Sequence, residues 1–121
     1  MHFNPSVKRD AMKRGLIGSI ISDAKQLGEL RYQRRIVEDQ LKDLTIRIRS
    51  ESKWKPWSRL ADMREPSVRA IVRDQRHFVR GHAQNLTRTR RSCQQELKEI
   101  QELISKVQAE LDGSVGLLEG N

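Results

Sequence analysis

Apolar residues recur at alternating steps of four and three along two stretches of this chain, Leu16 to Ile48 and Val68 to Leu111. That period matches one face of an α-helix, and sustained over several heptads it specifies a coiled-coil seam. Between the stretches lies Glu51-Ser52-Lys53-Trp54-Lys55-Pro56-Trp57-Ser58, where Pro56 disfavours helix at Lys55. The pattern predicts an all-α fold, a long antiparallel two-helix hairpin of coiled-coil type. Its expected parts are helix 1 over about 5–50, a basic Trp/Pro loop over 51–65, helix 2 over about 66–112 and a flexible tail over 113–121. A chain of 121 residues suits one domain, 1–121. Asn4 reads as an N-cap, and Pro5 and Pro66 as first-turn residues, with Glu65 or Asp62 near the second cap. Ser58 to Arg64 suits a short helical turn, and Gly113 is the expected helix stop.

In helix 1, taking Ile20, Leu27, Arg34, Leu41 and Ile48 as a positions makes Leu16, Asp23, Leu30, Val37 and Leu44 the d positions. All but Arg34 and Asp23 are apolar. The seam of helix 2 reads Val68, Val72, Gln75, Val79, His82, Leu86, Thr89, Cys93, Leu97, Ile100, Ile104, Val107 and Leu111. Two steps of four meet at Cys93, a stutter that locally unwinds a supercoil. The seams match as an antiparallel pair when facing residue numbers total about 116, which sets Ile48 opposite Val68. Arg34 then faces His82 in one polar layer, which protonation of His82 is expected to loosen.

Only 36% of residues are hydrophobic while 33% are charged, too polar a mixture for a compact globule. A hairpin tolerates it, because each helix buries one stripe. Such a fold is expected to be completed by self-association or by a partner. Leu16, Ile17, Ile20, Ile21, Ile100, Leu103, Ile104 and Val107 make the end away from the loop broadly apolar, a candidate oligomerisation or docking surface. Glu96, Glu99, Glu102, Glu110 and Asp112 make that end unattractive to anions. An N-terminal amphipathic membrane segment is the other reading of Leu16 to Ile21.

The net charge is +8 and lies unevenly: +3 over residues 1–46, +9 over 47–91 and −4 over 92–121. A basic third points to an anionic partner: nucleic acid, an anionic membrane surface or an acidic protein. Arg69, Arg73, Arg76 and Arg80 repeat at helical spacing and form one stripe beside the seam, extended by Arg88, Arg90 and Arg91. Asp74 is the one acid among residues 66–91. The guanidinium fork suits phosphate, so these residues with Lys53, Lys55 and Arg59 are the candidate nucleic-acid or anion-binding set. Salt bridges to Glu38, Asp39 and Asp43 on helix 1 are the competing role for the stripe. Trp54 and Trp57 are candidates for stacking on bases, for anchoring in a protein pocket, for sitting at a lipid interface, or for capping the hairpin.

The three histidines and single cysteine lack metal-ligand spacing, and Cys93 falls on the seam, so neither a metal site nor a cofactor is expected. Nor is there a nucleophile–base constellation or a phosphate-binding glycine loop, so an enzyme is not expected. The apolar runs are too short for a transmembrane segment. One cysteine suits the cytoplasm or another reducing compartment, with Lys8, Arg9, Lys13 and Arg14 leaving organelle import open. The expected function is that of a small helical subunit binding nucleic-acid backbone without reading sequence, within a nucleoprotein assembly. The alternative is a structural adaptor in a viral, secretion or organellar machine whose basic face meets acidic protein.

Overall fold

The computed structural model describes residues 5–55, 57 and 65–120. Two helices, α1 (Pro5–Ser52) and α2 (Pro66–Glu119), pack against each other as in a helical hairpin, and the described residues contain no strand. No helix is long and apolar enough to cross a membrane. The expectations for Asn4, Asp62, Arg59 and the turn over 58–64 lie outside the described residues.

Both helices begin at a proline, whose missing N–H is no loss in a first turn. The Glu65 carbonyl accepts from the N–H groups of Val68 and Arg69 at 3.1 Å, which makes Glu65 the cap residue of α2. At its far end α1 tightens. The N–H of Lys53 donates to Ser50 O and that of Trp54 to Glu51 O, and Ser52 Oγ donates to Arg49 O at 2.8 Å. These bonds satisfy carbonyls that the helix end leaves unpaired.

All ten expected seam positions of α1 are buried or half-buried, and Lys13 and Glu51 continue the same steps at either end. The contacts divide into two compact units. In the first, residues up to Ile36 pack with residues from Leu97 onward around Leu27, Leu30, Ile100 and Val107. In the second, Val37–Glu96 pack around Val37, Val72 and Leu86. Among the described residues no large side chain is fully enclosed, so each core is a single thin layer.

Three expectations are corrected. First, α2 does not stop at Gly113 but continues through it and Gly116 to Glu119, where a flexible tail was expected. No glycine there adopts positive φ, so the backbone makes no left-handed stop. Ser114 and Leu118 prolong the seam steps beyond Leu111 and are half-buried, and that packing outweighs glycine's cost of about 1 kcal/mol relative to alanine.

Second, the register differs. Glu51 meets His82 in the second unit and Arg31 meets Gln108 in the first, pairs whose numbers total 133 and 139 rather than 116. A seam that repeats every seven residues is satisfied equally well after a slip of about three heptads, so matching seams cannot by themselves choose a register. His82 accordingly lies on a carboxylate instead of an arginine.

Third, Thr89 is exposed, and its hydroxyl donates to Asn85 O at 2.9 Å. Arg90 takes the half-buried position instead, which moves the two consecutive steps of four to Leu86. The three-carbon stem of an arginine lets it fill an apolar seam that its charge would otherwise rule out.

Candidate functional site

The N-terminal half of α2 carries the arginine stripe. Arg69, Arg73, Arg76 and Arg80 are all exposed and span ~16 Å of helix at 1.5 Å per residue. Arg91 falls three turns beyond Arg80 on the same face, and Arg88 is also exposed to one side. Arg90 departs from the set, because its side chain enters the seam and its Nε is buried without a partner.

Within residues 66–91 Asp74 is the one acid beside seven arginines. Arg73 Nε approaches Asp74 at 3.6 Å, with both side chains largely exposed. A weak exposed pair leaves Arg73 available to a stronger anionic partner.

The chain after α1 brings its tryptophans to the same half of α2. The backbone of Trp54 is fixed by the bond to Glu51 O, yet its indole is 51% exposed. Trp57 is half-buried, and the Arg76 guanidinium carbon lies 5.7 Å from its ring centroid. This cation–π contact couples loop and stripe. Trp54, Lys55, Trp57, Arg76 and Arg80 line an open hollow of about 480 Å³, with Glu51, Ser52, Val79 and Ala83 behind them. A second hollow of about 340 Å³ is lined by Trp54, Asp74, Gln75, Phe78 and Val79. Lys53 is exposed nearby in sequence, and Arg59 lies outside the described residues.

Among the described residues Glu51 is the one acid lining the first hollow, and it is already engaged. Arg47 lies 3.7 Å from one carboxylate oxygen and His82 Nε2 lies 2.7 Å from the other. The His82 ring in turn lies parallel to Phe78, with centroids 6.3 Å apart.

Phe78 is a participant that the seam pattern passes over. It is 67% exposed and lies seven residues after Ile71, itself 48% exposed. An off-seam apolar pair at heptad spacing was the available signal.

The eight residues of the expected docking end separate into two groups. Ile100 and Val107 are buried in the seam, and Leu16, Ile20 and Ile104 are half-buried there. Ile17, Ile21 and Leu103 face outward, 45–51% exposed. Among the described residues no three His, Cys, Asp or Glu side chains gather to hold a metal ion.

Comparison with protein families, with characterised proteins and with solved structures returned no match to this chain.

Proposed function

We propose that this protein is a non-enzymatic helical subunit that binds the phosphate backbone of nucleic acid without reading sequence. The observation that carries the reading is the exposed stripe Arg69, Arg73, Arg76 and Arg80 on one face of α2, in a stretch where Asp74 is the one acid among residues 66–91. Guanidinium groups in a row along a rigid helix match successive phosphates, and each contact releases condensed counterions. Base edges are read by specific donors and acceptors in a groove, and a stripe of arginines alone does not discriminate among them. Lys53, Lys55, Arg88 and Arg91 add cations to the same unit. In this reading Ile17, Ile21 and Leu103 pack against a second copy or a neighbouring subunit, which would also thicken a single-layer core.

An adaptor role is the second reading, favoured by those same outward apolar side chains. Anisotropy titration of labelled single-stranded and duplex oligonucleotides of several sequences separates the two. Backbone binding gives affinities that fall steeply with salt and vary little with sequence. An adaptor gives no binding even at low salt.

A further inference from the structure

The hollow between Trp54 and Trp57 has a composition that a phosphate-binding surface alone does not require. Among the described residues it joins two indoles to three cations, Lys55, Arg76 and Arg80, while its one acid, Glu51, lies within ion-pair distance of Arg47 and His82. Trp54 holds half of its surface in water although its backbone is pinned to the end of α1. An anionic polymer that also carries flat apolar groups is complementary to this arrangement on both counts.

We infer that the hollow receives an unpaired nucleobase, so that the protein holds single-stranded nucleic acid with one base against Trp54 and the flanking phosphates on Arg76, Arg80 and Lys55. The inference rests on the backbone-binding reading above and deepens it by naming the form of nucleic acid. In a duplex the base faces are stacked on one another and cannot reach an indole. In a single strand every base offers a face, and stacking tolerates any sequence. The Arg76 guanidinium over Trp57 supports the geometry: cation–π contact with the ring holds its planar fork beside the hollow. An acidic peptide would satisfy the cations but leave the Trp54 face in water.

The test compares three labelled ligands of equal phosphate number on the full chain: oligothymidylate, an abasic deoxyribose-phosphate strand, and a duplex. Oligothymidylate is expected to bind about 5- to 150-fold tighter than the abasic strand, the range that loss of one stacked base produces. It also quenches tryptophan emission where the duplex does not. Trp54→Ala should remove the difference between the two single strands and Trp54→Phe should keep most of it. Arg76→Gln and Arg80→Gln should weaken both strands alike. Equal affinity of the unmodified protein for oligothymidylate and abasic strand would overturn the base-binding hollow while leaving backbone binding intact. Absence of binding to all three overturns both.

Discussion

Replacing Arg90 by leucine should stabilise the protein, although it removes a charge from a basic helix. Arg90 occupies a seam position between Leu86 and Cys93, and its Nε is buried without a partner. A buried donor left unsatisfied costs about 1–3 kcal/mol. The side chain is only half-buried, so the low end of that range applies, and leucine restores most of the apolar contact made by the arginine stem. The expected gain is about 1 kcal/mol, or about 3–6 °C in Tm for a chain of this size. Urea unfolding followed by far-UV circular dichroism reads it as a higher midpoint with unchanged slope. Both proteins are measured at one concentration, because self-association would shift apparent stability. Thr89→Leu is the matched control. Thr89 is exposed, so this change should stay within about 0.5 kcal/mol of zero. The opposite outcome, a gain at position 89 and a loss of more than about 1 kcal/mol at 90, would show that the seam runs through Thr89 and that the stutter is misplaced.

Leu27, only 3% exposed, anchors the first unit, so Leu27→Ala should cost about 2–4 kcal/mol in the same unfolding assay. Gly28 has nothing within 4 Å of where a Cβ would stand, so Gly28→Ala should gain up to about 1 kcal/mol from helix propensity alone; a loss would reveal an unseen neighbour on that face. A double-mutant cycle on Glu51 and His82, whose side chains are 29% and 40% exposed, should return a coupling of about 0.2–1 kcal/mol, and zero coupling would contradict the register. Arg90→Leu should leave nucleic-acid affinity unchanged while Arg91→Gln lowers it, since one side chain enters the seam and the other faces outward.

The pattern of α1 was fully legible because its seam is dense: eight apolar residues at strict spacing leave one way to orient the helix. The proline starts were legible for a local reason, since proline is tolerated in a first turn and little else of a helix. The register was not, because heptads are interchangeable under a slip of whole repeats, and its markers, Glu51 with His82 and Arg31 with Gln108, are polar pairs that an apolar repeat does not specify. The run of α2 past Gly113 was hidden by glycine's intrinsic preference, which half-buried Ser114 and Leu118 override through packing. Of the candidate site, the arginine stripe follows from helical spacing alone. The hollow does not, because Trp54 and Trp57 follow no periodicity, and only the tertiary structure sets them beside Arg76 and Arg80.

The central claim is that the stripe on α2 binds phosphates, and salt dependence tests it most directly. The measurement is the slope of log affinity against log salt for a single-stranded oligonucleotide, for the unmodified chain and for a variant carrying Gln at positions 69, 73, 76 and 80. Each phosphate contact on a single strand contributes about −0.7 to that slope, so four lost contacts should flatten it by about 3. A variant with the same slope and affinity as the unmodified protein, or an unmodified protein that binds nothing at low salt, would contradict the account.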